Sequence, residues 1–177
     1  MNQVETNAAA HGLSARAGKY LSFKLGNEEF GVAILKVQEI IGIMTVTRVP
    51  RTPDCIRGVI NLRGKVIPVL DLRRKFGLDA RSDTDRTCII VVRIERGNER
   101  LTMGVLVDDV SEVLNITAEQ LEEPPSFGAG VRTDFIQGMG KVGAKVVMLL
   151  DIDKVLGSQE IAQARETAVE AVGESAA

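Results

Sequence analysis

The chain carries an internal repeat. Gly58 to Gly77 (GVINLRGKVIPVLDLRRKFG) and Gly138 to Gly157 (GMGKVGAKVVMLLDIDKVLG) align without a gap at an offset of 80 residues. Lys65, Val66, Leu70 and Asp71 meet Lys145, Val146, Leu150 and Asp151. Upstream, Gly31 to Ile43 aligns with Gly104 to Ile116 at an offset of 73, so that Val37, Glu39 and Ile43 meet Val110, Glu112 and Ile116. Two gapless blocks in the same order indicate duplication of one structural unit.

The repeated segments read as strands. Tyr20 to Leu25 alternates, Gly26-Asn27 offers turn chemistry, and Phe30 to Ile34 returns, so a hairpin is predicted. Leu35 to Ile41 fits either a short helix or an irregular strand, its apolar residues following helical spacing. Ile56 to Asn61 and Lys65 to Leu70 predict a second hairpin turning at Leu62-Arg63-Gly64. Asp71 then caps a short helix that Gly77 ends. Asp79 to Asp85 is a polar loop. Thr87 to Glu95 and Arg100 to Asp108 make the longest hairpin, and Val110 to Ile116 follows. Thr117 to Gln120 has capping-box spacing, Pro124 to Gly130 is a loop, and Lys145 to Leu150 is a strand.

Each half thus holds roughly five short strands, enough to curl into a small barrel without open edges. The expected fold is all-β: two such barrels side by side with a binding groove between them, short helices, and a helical segment at the C-terminal end. Residues 1–18 are small and polar and are expected to form a disordered arm. Residues 19–157 form the two-part domain, and residues 158–177 a helical tail.

The composition narrows the function. The 177 residues hold 22 basic and 24 acidic side chains, a net charge of −2 and a pI near 5.6, so there is no broad cationic field for nucleic acid. With one Tyr, no Trp and five Phe, stacking platforms for single strands are scarce too. No run reaches the length of a membrane span and the N-terminal stretch lacks an apolar signal core, which predicts a cytoplasmic protein without membrane insertion. Cys55 and Cys88 sit in apolar runs and read as buried free thiols.

Chemistry-bearing motifs are thin. Gly138-Met-Gly140-Lys-Val-Gly143 satisfies G-x-G-x-x-G, yet a strand follows it where a nucleotide site needs a helix, so a hairpin is expected there. His11 is the only histidine and lies in the arm, leaving no positioned imidazole for a triad or a metal. Asp108, Asp109, Asp151 and Asp153 suit turn and cap positions. No catalytic residue, metal ligand or cofactor is assigned.

Several strings carry a resemblance. Glu29 to Val32, Ile34 to Ile40, Thr52-Pro53, Ile56 to Leu72, Val107 to Leu114 and Phe135 to Gly140 resemble the CheW-like coupling proteins of bacterial chemotaxis, over roughly Tyr20 to Gly157 and in the family's order. The same fold forms the regulatory domain of the chemotaxis histidine kinase CheA and part of the CheV adaptors; this sequence, without a kinase or receiver segment, is similar to the free-standing members. The resemblance implies two SH3-like five-stranded barrels and a non-catalytic adaptor. Its partners would be the CheA regulatory domain and the cytoplasmic tip of methyl-accepting chemoreceptors, with the adaptor recruited to receptor arrays at the inner membrane. An adaptor of a related non-flagellar chemosensory pathway is the alternative, with a paired-barrel nucleic-acid binder behind it.

Carried over by position, the resemblance implies kinase contacts at Val37, Glu39 and Phe127, and receptor contacts at Ile40, Asn61, Arg63 and Val113. Val37, Ile40 and Val113 also fit a plain core role, and Arg63 a solvated turn. Glu122 and Glu123 precede Phe127 where some members carry a basic residue. Ile40 and Val113 occupy equivalent places in the repeat.

Overall fold

The computed structural model describes residues 15–79, 82–125 and 134–155. Phe127, the expected tail at 158–177 and residues 1–14 of the expected arm lie outside the described residues. Strand β1 starts at Gly18.

Eleven strands are present among the described residues: β1 (Gly18–Leu25), β2 (Glu28–Ala33), β3 (Val37–Gly42), β4 (Ile56–Leu62), β5 (Lys65–Asp71), β6 (Cys88–Arg96), β7 (Glu99–Val107), β8 (Asp109–Ile116), β9 (Leu121–Glu122), β10 (Ile136–Val142) and β11 (Lys145–Leu150). Two single-turn helices, α1 (Leu72–Lys75) and α2 (Ile152–Val155), follow β5 and β11. No helix among the described residues is long and apolar enough to cross a membrane. The all-β class with short helices is what the sequence predicts.

The strands form two compact units. The first runs up to Ile34 and resumes over Ser111–Val155; its six strands lie in the order β8-β1-β2-β11-β10-β9. Tyr20, Ile116, Leu121, Val147 and Leu149 make a buried cluster, and Phe23 stacks on its cross-strand partner Phe30 with ring centroids 5.8 Å apart. The second unit, Leu35–Val110, has the order β3-β6-β7-β5-β4 around Ile60, Ile67, Val69, Ile89, Val91 and Leu106. Burial of each such side chain contributes about 1.5–3 kcal/mol. β5 is buried without interruption from Ile67 to Asp71, as suits a strand with neighbours on both sides. Pro68, which has no N–H to donate, precedes the parallel pairing with β7 that begins at Val69.

The sheets are not one repeat each, which differs from the expected plan. β3, β4 and β5 of the first repeat pair with β6 and β7 of the second; β8, β10 and β11 of the second join β1 and β2 of the first. Each exchange ends in a parallel pair of the same register: Val69 opposite Gly104 in one unit, Leu149 opposite Gly31 in the other. Shifting 149 by 80 gives 69, and shifting 31 by 73 gives 104, so the duplication holds to the residue.

Neither sheet closes into a complete barrel by a continuous ladder among the described residues. In the second unit the chain after β3 reaches the free edge of β4 through one bridge, with Thr47 N–H donating to Val59 O and Val59 N–H to Thr47 O, both at 2.8 Å. Gly58 allows the approach: a Cβ there would stand 2.1 Å from Thr47 O, and its φ of +150° disfavours a side chain in any case. The segment left open between helix and strand is a 3₁₀ turn (Ile34–Lys36) running into β3.

Local signals behave as their chemistry predicts. Asp71 Oδ1 accepts from the N–H groups of Arg73 and Arg74 at the start of α1, and Gly77 follows it at φ +70°. Asp151 does the same for Asp153 at α2. Asp71 N–H donates to Cys55 O and Asp151 N–H to Phe135 O, each at 2.7 Å and again 80 residues apart. The glycine cluster at 138–143 is a hairpin: Gly138 and Gly140 lie within β10, and Gly143 turns into β11 at φ +61°. Neither thiol is in a disulfide, and Cys88 is only half-buried, because it opens β6 at the rim of the sheet; Cys55 is buried.

Candidate functional site

Five of the seven assigned residues fall in the second unit. Val37, Glu39 and Ile40 are on β3, an edge strand; Asn61 and Arg63 are at the β4–β5 hairpin. Val113 is on β8 of the first unit.

β3 carries a bulge. Val37 faces Val92 and Glu39 faces Val91, so Gln38 is an extra residue between them. Beyond the bulge the strand alternates, turning Glu39 inward and Ile40 outward. Ile40 is 44% exposed and Val113 51%, so neither is a core residue. Val37 is half-buried.

The hairpin tip is a two-residue loop, Arg63-Gly64, with φ of +51° and +88°. Positive φ at both places is the signature of a type I′ turn, whose twist suits the flanking strands. Glycine or asparagine fits the first place, and the equivalent residue of the second repeat is Gly143. Arginine there holds a left-handed conformation at a cost of about 1–2 kcal/mol. Asn61 Oδ1 accepts from Gly64 N–H at 2.9 Å, so Asn61 braces the turn.

The structure brings Glu39 and Arg63 together. Arg63 Nη2 donates to Glu39 Oε2, joining the edge strand to the hairpin across the curl of the sheet. The resemblance places these two residues on different partners; in the molecule they form one ion pair. Its arginine end is solvated and its glutamate end is mostly covered, 72% against 28% exposed. Glu39 Oε1 is buried with no hydrogen-bond partner in the structure. A buried carboxylate oxygen without a donor is uncommon and costly.

Around the pair lies an open depression of about 550 Å³ that Leu62, Lys65, Ile67, Arg93 and Thr102 also line. Gln38, with its amide oriented to satisfy both groups, accepts from Arg93 Nη2 and Nε at 3.1 and 3.2 Å. Lys65 has no ion-pair partner among the described residues. The surface is therefore cationic apart from Glu39, with an apolar floor. It contains donors and packing area and suits docking. Sequence reasoning missed Gln38, Lys65 and Arg93; the signal for Arg93 is a lone arginine in the otherwise apolar run Cys88 to Ile94.

The model of the CheW-like domain matches residues 19–160. The chain is 45% identical over 144 residues to the chemotaxis protein CheW of Klebsiella aerogenes, covering 81% of this chain and 84% of that one. It is 33% identical over 138 residues to the chemotaxis protein CheW of Helicobacter pylori, covering 78% and 81%. Among solved structures, the scaffolding protein TtCheW from Thermoanaerobacter tengcongensis superposes with a TM-score of 0.71 at 33% identity, covering 81% of this chain and 95% of that one.

Proposed function

The chain belongs to the CheW-like domain family and is a non-catalytic scaffold of chemotaxis signalling, and from that premise we propose that it couples chemoreceptors to the histidine kinase CheA. In this proposal residues 19–157 work as one domain, at the cytoplasmic face of receptor arrays. Val37 and Glu39, with Phe127, meet the regulatory domain of the kinase; Ile40, Asn61, Arg63 and Val113 meet the receptor tip.

The observation that carries the proposal is the Glu39 carboxylate. One oxygen is held by Arg63 and the other is buried without a donor, and the next residue of the strand, Ile40, is exposed on the opposite face. Glu39 lines the depression and offers an acceptor to an N–H or hydroxyl of the kinase, while Ile40, on the opposite face of β3, offers apolar area to the receptor, so neighbouring positions of one strand serve two partners. Contact at such a centre is worth more than contact at the rim, because water is excluded from the charges.

The test is retention of this chain by an immobilised CheA regulatory domain and by a receptor hairpin, separately and together. Retention by each, and a ternary complex when both are present, is expected. Retention by neither overturns the proposal.

A further inference from the structure

A second surface lies on the long connection between β3 and β4. The segment Val49-Pro50-Arg51-Thr52-Pro53 is fixed by two prolines, by Thr52 Oγ1 donating to Val49 O at 2.9 Å, and by Ile56 N–H donating to Pro53 O at 3.0 Å. Arg51 stands at its tip with φ of +63°, the left-handed place that follows a proline in a tight turn.

Two adjoining depressions of about 280 and 360 Å³ open beside this loop and share Arg48, Arg57 and Arg74. Arg57 is answered by Asp83 at 2.5 Å, and Arg74 by Asp71 at 3.6 Å. Arg48 and Arg51 are exposed and make no ion pair among the described residues. Of the two carboxylates that line these depressions among the described residues, Asp83 is taken by Arg57 and Asp54 stands on the rim near Arg51. Ile43 and Met44, each 36% exposed, stand at the second depression. The face therefore combines two uncompensated guanidiniums on a stiff loop with an uncovered apolar pair.

We propose that this face docks an acidic, amphipathic segment of a partner protein, with its carboxylates on Arg48 and Arg51 and an apolar side chain on Ile43 and Met44. The surface is separate from the Glu39–Arg63 depression and adds a contact to the adaptor beyond those proposed above. Charge complementarity selects the occupant: planar guanidiniums pair with carboxylates through two parallel hydrogen bonds. A free phosphate fills little of either depression and leaves Ile43 and Met44 uncovered.

The probe is a short labelled helical peptide with Glu and Leu on one face, titrated into the full chain by fluorescence anisotropy, with its Glu-to-Gln counterpart as control. The Glu peptide is expected to bind, to weaken as salt rises, and to shift amide resonances of residues 43–57 and of Arg74. Arg48→Glu combined with Arg51→Asn should weaken it by about tenfold or more. Asparagine accepts the positive φ at position 51, so folding is preserved. Asp54→Asn should tighten binding by roughly two- to fivefold, the scale of one exposed charge pair. Arg100→Glu, a similar charge change on the β6–β7 hairpin, should leave it unchanged. Equal binding of the Gln peptide, equal loss with Arg100→Glu, or displacement of the peptide by low inorganic phosphate would each overturn the proposal, the last by making this a small-anion site.

Discussion

Arg63→Asn separates what the residue does for the fold from what it does for docking. In the fold, arginine at φ +51° costs about 1–2 kcal/mol, most of which asparagine recovers because it tolerates the left-handed region. Against that stands the loss of the ion pair to Glu39, whose arginine end is 72% exposed; exposed pairs contribute about 0.2–1 kcal/mol. The two effects nearly cancel or leave a small gain, so the melting temperature should move by less than about 4 °C. Docking has no such offset. If Arg63 is a central receptor contact, its loss costs about 1–3 kcal/mol, a rise in Kd of roughly 5- to 150-fold. The assay is a pair of titrations, against a receptor hairpin and against the CheA regulatory domain, beside thermal unfolding followed by circular dichroism. Because Arg63 holds Glu39, some loss toward the kinase is expected as well, smaller than the loss toward the receptor. A fall in melting temperature well beyond that range would show that Arg63 carries packing, and unchanged affinity for both partners would remove it from any interface.

Glu39→Lys places a second cation against Arg63 and beside Lys65 and Arg93 at a mostly covered position, so kinase affinity should fall by about tenfold or more and the urea midpoint should fall too, whereas Glu39→Gln should weaken kinase binding with a smaller change of midpoint. Gly58→Ala drives a Cβ to 2.1 Å from Thr47 O and breaks the bridge to Val59; unfolding free energy should drop by about 3 kcal/mol or more, whereas Gly64→Ala, with open space around it, should lose only about 1 kcal/mol. The Cys88 thiol is pushed up first by burial and then by the charge of Asp109, so its alkylation by iodoacetamide should reach half-maximal rate above the ordinary thiol range. The sign for stability follows: the unfolded chain ionises within the ordinary thiol range, before the folded one, so the contribution of Cys88 is fully present below that range and is lost as pH rises through its folded value.

Much of the fold is legible in the sequence because the signals are local. The turn at Leu62-Arg63-Gly64, the Asp71 cap with Gly77, and the strand after Gly143 each depend on residues a few positions apart. Leu35 to Gly42 is ambiguous for a physical reason: the half-buried face of β3 holds Val37, Glu39 and Ile41 while Ile40 is exposed, so a charged residue stands inside, an apolar one outside, and the apolar positions 37, 40 and 41 mimic helical spacing. The exchange of strands between repeats is illegible because two equivalent segments offer the same register, and only three-dimensional pairing chooses between them. The same holds for the site. Glu39 and Arg63 are each conspicuous on a strand and at a turn, but their contact depends on the curl of a five-stranded sheet, and only folding puts them on one surface.

The exchanged strands also set a timetable for a chain emerging from the ribosome. The second unit has all five strands once Val107 is out, and its last pairing partner is already present. The first unit begins at Gly18 yet needs β11, which ends at Leu150, so the β1–β2 hairpin is made first and finished last. Through that interval the edge of β2 that β11 will cover stays open, with Phe30 and Val32 waiting for Met148 and Leu150. A hairpin made before its closing strand is thus the part most exposed to wrong partners. Long-range parallel closure is also the slow step in folding, so refolding of the first unit should lag that of the second.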